Sequence, residues 1–93
     1  MKQFIDFSEL RQWCIDNDHN NTVIFRDPDY SRAVVGITDN GALIYSHEKM
    51  VEWLMKAYEL TETDAIEFID KNTLVALDYG DEMKPIILYE IEH

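Results

Sequence analysis

The sequence predicts one α+β domain spanning residues 1–93, with an antiparallel sheet of about four strands packed against about three helices. Three observations predict it. Apolar residues recur at three- and four-residue spacing in three stretches, each opening on an Asp, Ser or Thr able to cap a helix. Between the first two stretches lie short β-branched and aromatic runs, divided by Asp27-Pro28 and by Asp39-Asn40-Gly41. A last apolar run, Ile86-Ile87-Leu88-Tyr89, follows Pro85. At 93 residues and 46% hydrophobic content, the chain has room for a single core and enough apolar surface to offset the entropy of ordering.

In chain order, residues 6–17 read as a first helix. Asp6 with Glu9 three positions on resembles a capping box, and Phe7, Leu10, Trp13 and Cys14 form the apolar stripe. The run Asp16-Asn17-Asp18-His19-Asn20-Asn21 breaks it, because short polar side chains compete for the backbone. Residues 22–26 read as a first strand and residues 32–38 as a second, joined by a turn at Asp27-Pro28. Asp39-Asn40-Gly41 then supplies the positive-φ positions of a tight hairpin into a third strand, residues 42–45, completing a β-meander. Ser46 caps a second helix over residues 47–59, with Met50, Val51, Leu54, Ala57 and Tyr58 in one stripe, widened by Trp53 and Met55. Thr61-Glu62-Thr63-Asp64 opens a third helix, with Ala65, Ile66, Phe68 and Ile69 on its apolar side and Asn72 at its end. Residues 73–79 fit either a short strand or one more helical turn. The C-terminal strand, residues 86–91, is unbroken in its apolar run, which predicts a place inside the sheet with both faces buried.

Charge is the most unusual global property. Nineteen Asp and Glu against eight Lys and Arg give a net charge of −11. Such a surface repels phosphates and anionic lipid, so neither direct nucleic-acid binding nor membrane binding is expected. It steers the protein toward a basic protein surface instead. Acidity equally keeps a small protein soluble, and both readings stand. No run approaches the roughly 18 apolar residues of a membrane span, and the first ten residues lack the apolar segment of a signal peptide. With Cys14 as the only cysteine, no intramolecular disulfide forms, and a cytoplasmic location is expected.

Candidate chemistry is sparse. Asp16, Asp18 and Asn20 match the opening of an EF-hand calcium loop, with Asp27 at its twelfth position. Asn21 stands where the loop requires Gly, however, and Pro28 where a second helix would start. A solvated helix-ending loop is the better fit. His19, His47 and His93 show no metal-ligand spacing, so no metal and no cofactor is expected. No nucleophile stands beside a base in a recognisable motif, and Gly36, Gly41 and Gly80 build no phosphate loop. Glu48 with Glu52 and Asp64 with Glu67 pair carboxylates at helical spacing, which suits acid–base work or a plain water-facing surface. Glu62, Asp64, Glu67 and Asp70 decorate the third helix, and Asp78, Tyr79, Asp81 and Glu82 follow in the next loop. Gathered together, they form a negative stripe able to imitate a phosphate backbone; dispersed, they are a solvated helix face. Tyr30, Tyr79 and Tyr89 are the aromatics that would anchor such an interface if exposed.

Val35-Gly36-Ile37-Thr38 through Gly41 and Tyr45, Lys49-Met50-Val51-Glu52, Glu67-Phe68-Ile69-Asp70, Asn72-Thr73, Ala76-Leu77 and Pro85-Ile86-Ile87-Leu88-Tyr89 carry a family resemblance. The pattern resembles a family of small acidic proteins of Firmicutes and their phages or mobile elements. That family joins a hairpin, a KMVE-type helix, a Glu-Trp/Phe-Ile-Glu/Asp-x-Asn-Thr-x-x-Ala-Leu segment and a terminal Pro-Ile-Ile-x-Tyr strand. Asp78 departs from it, standing where the pattern often has Pro. The resemblance implies a phage or mobile-element setting, in which small acidic proteins act by binding, sometimes as nucleic-acid mimics. The expected function is a non-catalytic protein-binding module, an inhibitor of anti-CRISPR or anti-defence type. It would block a basic, nucleic-acid-handling host factor through Glu62, Asp64, Glu67, Asp70, Asp78, Tyr79, Asp81 and Glu82. The alternative is a small enzyme or ligand-binding protein using carboxylates and Tyr in a cleft.

Overall fold

The first helix, α1 (Phe7–Asp16), starts where its orphan backbone donors find acceptors. The Asp6 carboxylate accepts the Glu9 N–H at 2.9 Å, and Asp29, 22 residues away, accepts the Phe7 N–H at 2.7 Å. Asp29 also accepts the Ser31 N–H and hydroxyl, so one carboxylate ties the start of α1 to a 3₁₀ turn (Ser31–Ala33). The structure, a computed structural model, describes residues 3–74 and 84–91. Its remaining elements are β1 (Val34–Ile37), β2 (Leu43–Ser46), α2 (His47–Ala57), α3 (Glu62–Phe68) running on into a π-helical turn (Ile69–Thr73), and β3 (Ile86–Leu88). This is an α+β domain of three helices and a three-stranded mixed sheet among the described residues.

Helix ends follow the local chemistry the sequence announces. α1 closes with Asp18 in the left-handed region (φ 63°), the Asp18 N–H bonded to the Ile15 carbonyl and the His19 N–H to the Cys14 carbonyl at 2.7 Å. That is a Schellman cap built on Asp instead of Gly. The stretch with EF-hand-like spacing is therefore a helix terminus, and no group of three or more potential metal ligands gathers among the described residues. The Ser46 hydroxyl caps α2 at the Lys49 N–H, and Thr61 caps α3 at the Asp64 N–H, as the sequence predicts. α3 does not stop at Asn72. It continues through Thr73, where the Asn72 side-chain amide donates to the Phe68 carbonyl at 3.1 Å.

The sheet departs from expectation in three ways. Residues 22–26 form no strand. Their β-rich composition suits a half-buried surface, but side chains stand in for a ladder: the Phe25 N–H donates to the Tyr45 hydroxyl at 3.2 Å, and the Thr22 hydroxyl donates to the Gly41 carbonyl at 2.7 Å. The meander is thus a single antiparallel hairpin, β1 with β2, in which Val34 faces Tyr45 and Ile37 faces Leu43 across a bulge at Val35. Gly41, at φ 95°, makes the turn. β3 runs parallel to β2, not antiparallel, because α2 and α3 return the chain to the end at which β2 began. Finally, the sheet order β1-β2-β3 puts β3 beside β2 only, and Ile86 and Leu88 are 44% and 43% exposed instead of buried. Thr73 and Leu74 are helical; the rest of the ambiguous stretch 73–79 lies outside the described residues.

The core gathers Phe4, Leu10, Cys14, Tyr45, Met50, Leu54 and Ile69, with Trp13, Trp53 and Phe68 half-buried around it. Ala57 and Tyr58, expected in the α2 stripe, are exposed because the helix ends at that turn, with Glu59 at positive φ. No helix among the described residues is long and apolar enough to cross a membrane.

Candidate functional site

Each residue of α2 advances about 100° around the helix axis, so His47, Val51 and Met55 share one side with Glu48 and Glu52 at its margin. Lys49 and Lys56 fall further round, beside Arg32 and Trp53. α2 thus has Glu48 on the side facing α3 and its lysines further round, with Glu52 on the border between them. α3 answers with Glu62 and Ile66, one turn apart, and the chain leaving β3 adds Tyr89 and Glu90. The result is an open cleft of about 380 Å³ with an apolar floor of Val51, Met55 and Ile66. Glu48, Glu52, Glu62 and Glu90 line it, and among the described residues no Lys or Arg does. Tyr89 is 56% exposed and its ring lies 4.7 Å from the His47 imidazole, tilted by 32°, at the same cleft.

The predicted set is divided by this geometry. Glu62, Asp64, Glu67 and Asp70 are all exposed, but only Glu62 lines the cleft. Asp64, Glu67 and Asp70, at successive steps of three, lie on another side of the same helix. Asp78, Tyr79, Asp81 and Glu82 lie outside the described residues. Of the candidate aromatic anchors, Tyr89 is exposed and Tyr30 is not. The Tyr30 ring is fully buried, edge-on to Phe25 and Trp53, with its hydroxyl paired to the Thr73 hydroxyl at 2.9 Å. Burial pushes the Tyr30 hydroxyl above the ordinary tyrosine value, while the Thr73 pairing pulls the other way. Burial raises the Tyr45 hydroxyl strongly, against the opposing bond from the Phe25 N–H.

Glu90 escaped the sequence reading, and Glu48 and Glu52 entered it only as a helical pair. Their i, i+4 spacing was the available signal; what it lacks is the neighbouring helix that turns a pair into a wall. Chemically, four carboxylates above aliphatic side chains suit a cationic group carried on an apolar stem, such as a Lys or Arg side chain. Cys14, whose thiol burial raises above its ordinary value, stands apart from this cleft and is not poised as a nucleophile. No family model matches the chain, and neither a curated protein nor a solved structure matches it.

Proposed function

We propose that this protein is a non-catalytic binding module whose cleft between α2, α3 and the end of β3 holds a basic segment of a partner protein. The observation that carries the reading is the composition of that cleft: Glu48, Glu52, Glu62 and Glu90 around an aliphatic floor, with Tyr89 exposed beside them and no Lys or Arg among the described lining residues. A net charge of −11 adds a long-range field that speeds encounter with a basic surface. The resemblance to phage and mobile-element proteins directs the proposal to a cytoplasmic, nucleic-acid-handling host factor, which the bound module would block by occupying its basic channel.

The test compares capture from host lysate by the wild-type chain and by a Glu48→Lys, Glu52→Lys, Glu62→Lys variant whose melting temperature is checked first. A basic nucleic-acid-binding protein retained by the wild type at low salt, released at moderate salt and lost with the variant supports the reading. Equal retention by both, or retention indifferent to ionic strength, refutes it. A second reading, a small cationic ligand held by Tyr89 and the same glutamates, rests on the same cleft. Calorimetric binding of a diamine that competes with no macromolecule would favour it.

A further inference from the structure

Where α1 meets the segment that follows it, at the edge of the core marked by Cys14, the charge balance of the protein is reversed. α1 presents Phe7, Arg11, Cys14 and Ile15 at offsets of four, seven and eight, which place them on one helical face. The extended segment alongside presents Thr22, Ile24 and Arg26 at a spacing of two, while Phe25 turns inward to pack edge-on against Tyr30 and Tyr45. A period of 3.6 and a period of two thus converge on one open cleft of about 450 Å³, which His19 from the Schellman cap also lines. Among the described residues, Arg11 and Arg26 are its charged residues and no carboxylate lines it. Three acids of the same region hold other partners. Asp6 holds the Glu9 N–H, Asp16 accepts from the Gln12 amide at 2.8 Å, and Asp29 holds the Phe7 N–H and Ser31. The Arg26 guanidinium lies 5.3 Å from the Phe7 ring centroid, a contact that restricts where its donors can point.

We propose that this cleft is a second binding site, for a small organic anion: a carboxylate, sulfonate or phosphate ester carried on a flat apolar body. The anionic head lies between Arg11 and Arg26, which offer planar forked donors. The body covers Ile15 and Ile24, and the polar end at His19 receives any hydroxyl or carbonyl the ligand carries. The volume lies in the range of small-molecule sites, and the mixture of apolar wall and few convergent polar groups is their usual makeup. Geometry thus provides an anion site in a protein whose overall charge repels anions, on a different element pair from the acidic cleft.

The experiment titrates the ¹⁵N-labelled full-length chain with 1-naphthalenesulfonate and, separately, with the uncharged 1-naphthalenemethanol and with inorganic phosphate. Amide shifts should centre on residues 11–15 and 19–26. The uncharged analogue and phosphate alone should each bind at least about tenfold more weakly, since each lacks one half of the recognition. Arg11→Gln and Arg26→Gln should each weaken the sulfonate about tenfold, the usual scale for a charge-assisted hydrogen bond. Both residues are exposed, and Arg11→Gln alone decides the matter if Arg26→Gln disturbs the fold. Shifts centred on the α2–α3 cleft, equal binding of the uncharged analogue, wild-type affinity in the Arg11→Gln chain, or no shift at millimolar sulfonate would each overturn the proposal. The Glu48→Lys, Glu52→Lys, Glu62→Lys variant should bind the sulfonate at this site as the wild type does, so the two cleft assignments stand or fall separately.

Discussion

Breaking the Tyr30–Thr73 contact should expose an asymmetry that depends on what each hydroxyl can fall back on. Both groups are buried, Tyr30 fully and Thr73 at 5% exposure, and their oxygens are 2.9 Å apart although the residues are 43 positions distant. Thr73→Val keeps the shape of the side chain but leaves the Tyr30 hydroxyl without a partner, at a cost of about 2 kcal/mol. Tyr30→Phe leaves Thr73 able to turn its hydroxyl onto the carbonyl one helical turn back, so the cost should be only about 1 kcal/mol. The double variant leaves no unpaired group and should cost about 1 kcal/mol, giving a coupling of about −2 kcal/mol in the cycle. Urea unfolding of the four chains measures this, and in melting temperature each 1 kcal/mol corresponds to about 4–8 °C for a domain of this size. Single effects that add to within about 0.5 kcal/mol would refute the argument, since an isolated buried pair cannot be additive.

Two further outcomes follow from the same core and its turn. Because burial raises the Tyr30 and Tyr45 hydroxyls in the folded state, the native chain holds protons that the unfolded chain releases above about pH 10. Stability should therefore be intact below that pH and fall above it, by up to about 1.4 kcal/mol per pH unit for each tyrosine, and Tyr45→Phe should flatten the slope of urea-derived stability between pH 9 and about 11; an unchanged slope would exclude Tyr45 as a source. Gly41→Ala forces a side chain into the left-handed region and sets its Cβ 3.1 Å from His19 Nδ1, so a loss of about 1–2 kcal/mol is expected in thermal unfolding, together with a displaced His19 side-chain resonance.

The sequence by itself determined what short-range chemistry decides. Asp6, Ser46 and Thr61 cap the helices they were expected to cap, Asp39-Asn40-Gly41 makes the hairpin, and Leu10, Met50, Leu54 and Ile69 are core because period and polarity agree within one element. Tertiary structure decided whatever depends on which element lies beside which. Residues 22–26 have strand composition, yet they join no ladder: the Phe25 N–H donates to the Tyr45 hydroxyl and the Thr22 hydroxyl to the Gly41 carbonyl. An apolar run such as residues 86–88 looks the same whether it joins a sheet parallel or antiparallel, at its edge or within it, and only the path of α2 and α3 fixes that choice. The acidic cleft has the same origin. Glu48, Glu62 and Glu90 are distant in the chain and unremarkable one by one; packing α3 and the end of β3 against α2 makes them one surface, because electrostatic fields sum over space and not along the sequence.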